Sequence, residues 1–169
     1  MKTTNASIPK LRNRESKSGE AIEASDSALS RLVGYNLKRV AIILQADTAR
    51  VLRQFDLRVI SFSALSMVVE NPGMRQSQLA DLLGIERSNL VLVIDELDSR
   101  ELITRNVVLG DRRSYALKAT LAGQRLNKQA LEAIQRSENA MLDCLSKVEL
   151  EQIGGILGKL RSELSSAMK

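Results

Sequence analysis

Three short clusters hold the side chains with which this 169-residue chain could do chemistry. Gln76-Ser77-Gln78 and Arg87-Ser88-Asn89 each stand at the head of an apolar run, and Asp111-Arg112-Arg113-Ser114 follow a glycine. All are hydrogen-bonding groups. The guanidinium of Arg87 can fork onto guanine, the carboxamide of Asn89 can pair with adenine, and the Ser88 hydroxyl can reach a base edge or a phosphate. Gln76, Ser77 and Gln78, at the start of a helix, can contact phosphate through side chains and free backbone N–H groups. Arg112, beside a turn, suits a minor groove narrowed by an A·T tract, and Arg105 can touch the nucleic-acid backbone. The chemistry these clusters offer is recognition of double-stranded DNA.

Bond-breaking chemistry finds no counterpart. Histidine is absent, so acid–base work near neutral pH would need a strongly shifted carboxylate or lysine. No paired carboxylates, phosphate-binding loop or nucleophile–base set stands in the chain, and it reads as a non-enzyme. Cys144, the single cysteine, cannot form an internal disulfide and is the one soft metal ligand, so neither a metal nor a cofactor is expected. No run of about 18 apolar residues could span a bilayer, and the N-terminus lacks the apolar core of a signal peptide. These features fit a reducing cytoplasm. The net charge of +5 permits a nucleic-acid partner and equally serves solubility.

The elements that must position these clusters follow from periodicity. Leu79, Leu82 and Leu83 lie at helical spacing and are stopped by Gly84. Leu90, Val93, Ile94 and Leu97 form the buried stripe of a second helix. Two helices joined by so short a turn suit a helix-turn-helix. Ile103, Arg105 and Val107 then alternate, Gly110-Asp111 makes a turn, and Ser114 to Lys118 return as a second strand. The sum is a winged helix. Ahead of it, a helix capped by Asp26 or Ser27 carries Leu29, Leu32, Val33, Leu37, Val40, Ala41 and Leu44 on one stripe and approaches 25 residues in length. A linker at 55–58 leads to a helix from Val59 to Glu70, burying Val59, Phe62, Leu65 and Val69 and ended by Asn71-Pro72-Gly73. Behind the wing, Thr120 caps a fifth helix with an apolar side of Leu126, Ala130, Ala133, Ile134, Met141, Leu142 and Leu145. Ser146-Lys147-Val148-Glu149 is a capping box, and Leu150, Ile153, Leu157, Leu160, Leu164 and Ala167 recur as a heptad-like seam. Residues 1–25 read as a disordered basic tail, either solvated or touching phosphates.

Residues 30–168 resemble the MarR family of bacterial transcription regulators. The resemblance lies in Leu79-Ala80-x-x-Leu83-Gly84-Ile85, in Arg87-Ser88, in Asp111-Arg112-Arg113-Ser114 and in Thr120-x-x-Gly123. It implies a mainly α fold with a small β-hairpin wing: a winged helix-turn-helix lobe at 57–119, flanked by long dimerisation helices at 26–54 and 120–169 within one domain, 26–169. It further implies that Asp111 and Arg113 pair to fix the hairpin tip. The chain departs from the family in three places. Val91 and Leu92 replace polar residues; they either contact thymine methyls in the major groove or, in one case, widen the core stripe. Arg75 replaces a capping Thr or Ser, and Glu101 stands where a glycine usually ends the recognition helix. From Met74 to Lys118 seven bases meet seven acids, so binding must depend on where the charges sit.

The expected function is that of a homodimeric, ligand-responsive transcription regulator. The dimer would set two recognition helices on a palindromic operator, with half-sites about ten base pairs apart. Repression would be relieved by a small anionic aromatic compound or its acyl-CoA thioester. Tyr35, Arg39, Arg58 and Phe62 are the candidate ligand residues, because the stretch from Ser27 to Ile60 holds six bases against two acids and Tyr35 and Phe62 are two of the four aromatics of the chain. Some relatives sense oxidants through cysteine, but Cys144 beside the apolar side of the fifth helix reads as packing. The alternative function is a ligand-independent architectural or anti-silencing protein of A/T-rich sites.

Overall fold

The computed structural model describes residues 28–108 and 111–167, and the side chains of all of these except 107, 108, 111–114, 165 and 167. The tail at 1–25, the cap at Asp26 or Ser27 and Gly110 of the turn lie outside the described residues. The elements in order are α1 (Val33–Leu52), α2 (Val59–Glu70), α3 (Gln76–Leu83), α4 (Arg87–Ser99), β1 (Ile103–Val108), β2 (Asp111–Ala119), α5 (Leu121–Met141) and α6 (Lys147–Ala167). Among the described residues no helix is long and apolar enough to cross a membrane. The fold is mainly α with one antiparallel hairpin, as the periodicity predicts.

The chain divides into two units after Asn36. In the first, a 3-10 turn at Leu29–Arg31 leads through an extended Leu32 into the start of α1. Asn36 Nδ2 donates to the Ser30 carbonyl at 2.7 Å. α1 is 20 residues long rather than about 25, because Leu32 is extended and breaks the helix that Leu29 and Leu32 would have continued.

The second unit, from Leu37 onward, holds the core. Leu52, Leu65, Val68, Leu79, Leu90, Ile94, Leu97, Ile103 and Leu117 are fully buried there, so the end of α1, helices α2 to α4 and both strands contribute. Ala130 and Ile134 bring in α5. α2 has the expected ends, but its buried face is rotated. Ser61, Ala64, Leu65 and Val68 are buried, whereas Val59 is exposed and Phe62 and Val69 are only half-buried. Apolar residues surround α2 on nearly every side, so its own period could not choose the face. Leu82 is likewise exposed, while Leu79 and Ala80 fill the core.

Two joints fix the wing to the helices around it. At the first, α4 ends with Glu101 in the left-handed region (φ 55°), so the helix stop usually left to glycine is made here by a residue with a Cβ, at a cost of about 1 kcal/mol. At the second, the Thr120 hydroxyl donates to the Glu101 carbonyl at 2.8 Å and accepts from the Gly123 N–H at 3.0 Å, capping α5. Gly123 is required by space: a Cβ there would lie 2.0 Å from the Leu102 carbonyl oxygen. The Ser146–Glu149 capping box forms as expected, Glu149 Oε2 accepting from the Ser146 N–H at 2.8 Å and Ser146 Oγ accepting from the Glu149 N–H at 3.3 Å.

β2 begins at Asp111 rather than Ser114, and Val108 pairs with Asp111. Val107 pairs with Tyr115, so the register shifts across Arg112-Arg113-Ser114, beside the hairpin turn. Cys144 is exposed, in the turn between α5 and α6, and does not serve as the packing residue its neighbours suggested.

Candidate nucleic-acid interface

The candidate interface is assembled from three helix and strand ends. α3 begins at Gln76 and α4 at Arg87, and the base of β2 is tied to the start of α3. Gly73 N–H donates to the Leu117 carbonyl at 2.8 Å, and Leu117 N–H donates to the Met74 carbonyl at 2.9 Å, while Arg75 bridges to Ala116. These backbone bonds fix the wing against the helix-turn-helix. Between them lies a cleft of about 280 Å³ lined by Arg75, Gln76, Ser77, Arg87, Leu90, Val91 and Tyr115. Arg75, noted in the sequence only as a missing cap, and Tyr115, not singled out there, both line this cleft.

The α3 start compensates for the missing Ser or Thr cap. Gln78 Oε1 accepts from the Arg75 N–H at 2.9 Å, which supplies half of a capping box from the far side. Gln76 is half-buried and its Nε2 has no hydrogen-bond partner among the described residues. Ser77 is half-buried and Gln78 exposed. Gly84 (φ 63°) closes α3 with its N–H on the Asp81 carbonyl, a left-handed stop that glycine takes without strain.

On α4, Leu90, Val93, Ile94 and Leu97 are all buried, and Arg87, Ser88 and Asn89 are exposed in its first turn. Val91 is 42 % and Leu92 67 % exposed, so neither widens the core stripe. Arg75 and Arg87 make no ion pair among the described residues.

Three acids of the same lobe are engaged internally, while Asp81 and Glu86, the latter at the N-cap of α4, are exposed. Arg105 on β1 pairs with Asp95, and its Nε lies 3.0 Å from Asp98 Oδ2. The hydrogen bond that Arg105 donates to the Asp95 carboxylate holds the guanidinium charged still more firmly than usual. This revises the expectation for Arg105. Its side chain is only 23 % exposed and acts as a clamp between wing and α4 rather than as a free backbone contact. Glu96 accepts from Arg58 and, at 3.1 Å, from Ser61 Oγ. Three of the seven acids thus neutralise cations away from the first turn of α4. The side chains of Asp111, Arg112, Arg113 and Ser114, and with them the expected Asp111–Arg113 pair, lie outside the described residues.

The candidate ligand residues are more scattered. Tyr35, in the first unit, is half-buried; Arg39, in the second, is exposed. Arg58, the N-cap of α2, lies one turn before Phe62. Phe62 packs against the core, while Arg58 lines a shallow cleft of about 400 Å³ with Arg53, Asp56, Leu57, Glu96 and Arg100. Arg39 and Phe62 are not among its walls. Arg100, unremarked in the sequence, donates to the Phe55 carbonyl at 3.2 Å and to that of Asp56. Among the described residues no group of three or more acidic or cysteine side chains could hold a metal ion.

A helix-turn-helix whose second helix offers an exposed polar first turn, followed by a hairpin locked to it, defines a winged helix-turn-helix protein. The pattern of the MarR family matches residues 60–115. A relative from Thauera aromatica, named for regulation of transcription of the hcr operon, is 29 % identical over 76 % of this chain and 78 % of its own length. The solved structure of the transcriptional repressor CouR bound to a 23-mer DNA duplex is 30 % identical, covers 82 % of this chain and 99 % of its own, and superposes with a TM-score of 0.76. CouR from Rhodococcus jostii RHA1 bound to p-coumaroyl-CoA is 26 % identical, covers 80 % of this chain and 95 % of its own, with a TM-score of 0.70. This chain belongs to the MarR family of transcription regulators.

Proposed function

We propose that the protein is a homodimeric repressor that binds a palindromic operator and is released by a small anionic aromatic compound or its acyl-CoA thioester. The observation that carries the DNA reading is the division of charge in the lobe. Arg75 and Arg87 line the cleft between α3, α4 and β2 and make no ion pair among the described residues, while Asp95, Glu96 and Asp98 are paired with arginines elsewhere. A lobe neutral by count thereby offers a positive face where helix N-termini also favour phosphate. Gln76, Ser77 and Gln78 take phosphate oxygens, Arg87, Ser88 and Asn89 take base edges, and Arg112 takes the minor groove, with Asp111, Arg113 and Ser114 beside it. The lobe is 57–119, and 26–54 with 120–169 supply the dimer helices, all within one domain, 26–169.

The dimer reading draws on α1 and α6. Leu37, Val40, Ile42 and Ile43 on one and Val148, Ile153, Ile156, Leu157, Leu160 and Leu164 on the other are exposed within a single chain. So much apolar surface is unusual on a monomer, and a two-fold interface would cover it.

For the ligand, CouR is the guide, since it is known both on DNA and with p-coumaroyl-CoA. Tyr35, Arg39, Arg58 and Phe62 are proposed to bind it. An anion at Arg58 must compete with Glu96, a residue of α4, and so would act directly on the recognition helix. The ligand shifts the equilibrium only as far as it prefers the released state.

The test is selection of bound fragments from genomic DNA with the full chain, then titration of the best fragment at several salt concentrations. A palindrome with half-sites about ten base pairs apart is expected. Metabolites are then screened for release, and Arg39→Ala is expected to abolish release while leaving operator binding intact. Equal release from parent and variant would remove Arg39 from the ligand site. A degenerate A/T-rich output unaffected by metabolites would replace the proposal with the architectural alternative.

A further inference from the structure

We infer that Val91 and Leu92 make α4 a reader of pyrimidine C5-methyl groups, so that thymine is distinguished from uracil, and 5-methylcytosine from cytosine, at the positions these side chains meet. The inference rests on the proposal that α4 enters the major groove.

The face of α4 opposite its buried stripe is defined by spacing. With Leu90, Val93, Ile94 and Leu97 inside, Ser88, Leu92, Asp95 and Ser99 lie on the outermost line, at steps of four, three and four. Leu92 is 67 % exposed on that line and Val91 42 % exposed beside it, towards Arg87. The outer residues of the second half are already committed: Asp95 and Asp98 hold Arg105, and the Ser99 hydroxyl donates to the Glu96 carbonyl at 2.8 Å. Base contact is therefore left to Arg87, Ser88, Asn89, Val91 and Leu92, and two of these five have no polar atom in the side chain.

An aliphatic side chain pressed on a base edge strips water from carbonyl, amino or ring-nitrogen groups without replacing the hydrogen bond, which is unfavourable. The apolar group that a natural base pair presents in the major groove is the C5-methyl of thymine. Cytosine methylated at C5 carries the same methyl at the same ring position, so the contact cannot tell the two apart. The flanking charge selects the partner as well. Val91 shares its cleft with Arg75 and Arg87, which have no acidic partner among the described residues, and this favours a polyanion over an apolar protein groove.

The test uses the full chain and a selected operator duplex in which single thymines are replaced by uracil, removing one methyl and nothing else. At one or more positions per half-site the dissociation constant should rise about fourfold, the ratio given by about 0.8 kcal/mol for one buried carbon. At the same positions 5-methylcytosine should bind about fourfold tighter than cytosine. In the Val91→Ala/Leu92→Ala variant both ratios should fall to one; these are exposed positions, and an unchanged melting curve checks that the fold survives. Tight operator binding with no uracil effect at any position overturns the inference while leaving the DNA reading intact. Ratios that persist in the variant overturn it also. Failure to bind any DNA overturns both together.

Discussion

Helices α4 and α6 carry nearly the same apolar pattern and meet opposite fates. On α4 the stripe Leu90, Val93, Ile94 and Leu97 is buried, three of its members completely. On α6, Ile153, Leu157, Leu160 and Leu164 recur at comparable spacing, yet none of its described side chains is buried. Hydrophobic period tells where a face is, not what covers it. α4 finds its cover within about 50 residues, on α2, α3 and the hairpin. α6 finds none among the described residues, and three glycines at 154, 155 and 158, where a Cβ would meet nothing within 4 Å, leave its surface open to close approach. The first helix completes a lobe; the second keeps its apolar face exposed.

The contrast can be broken most forcefully in the core. Leu90→Ala should cost about 3 kcal/mol, the scale of emptying a fully buried leucine site, and the loss measured by denaturant unfolding should not vary with protein concentration. Leu157→Asp is expected to behave in the opposite way. Its effect on a single chain should stay within about 0.5 kcal/mol, as for other exposed sites, while light scattering shows a fall from dimer to monomer mass and melting loses its dependence on concentration. A concentration-independent loss at Leu157 as large as that at Leu90 would mean that α6 is covered by its own chain.

Smaller effects sharpen the same comparison at the helix ends. Glu101→Gly should stabilise the protein by about 1 kcal/mol, because glycine adopts a positive φ without the Cβ penalty; a measured loss would show that the Glu101 side chain contributes a contact worth more than the strain. The smallest effect concerns α6. The Ser146 hydroxyl and backbone N–H hold the Glu149 carboxyl below its usual range. A lowered folded value stabilises the folded form above the unfolded value, and that contribution is lost as pH falls through the folded one. Helical signal from α6 should therefore decline below about pH 4 in the parent, and Glu149→Gln should remove that part of the acid transition. Asp47, lowered first by Ser137 and then by Arg50, gives the same sign between α1 and α5.

Much of the site was legible because it is local. Arg87, Ser88 and Asn89 had to lie in the first turn of a helix once Leu90, Val93, Ile94 and Leu97 were seen as its inner stripe, and the structure places them there. Arg105 was misread. Nothing near it in sequence shows that Asp95 and Asp98, one and two turns back on another element, will reach its guanidinium. The exposure of Val91 and Leu92 stood undecided, since a stripe one residue wider also fits helical spacing.

What the sequence determined by itself was the set of elements and most of their ends: Asn71-Pro72 stopping α2, Gly84 stopping α3, Thr120 starting α5 and Ser146–Glu149 starting α6. Each is decided by interactions spanning three or four residues, which the order of side chains states outright. Only the tertiary structure decided which face of the nearly all-apolar α2 turned inward, that Leu82 turned outward, that Cys144 stood in an open turn, and that the acids of α4 were spent on Arg105 and Arg58. These outcomes depend on how helices rotate against one another and on pairs far apart in the chain, where many arrangements satisfy the same local pattern and packing selects one.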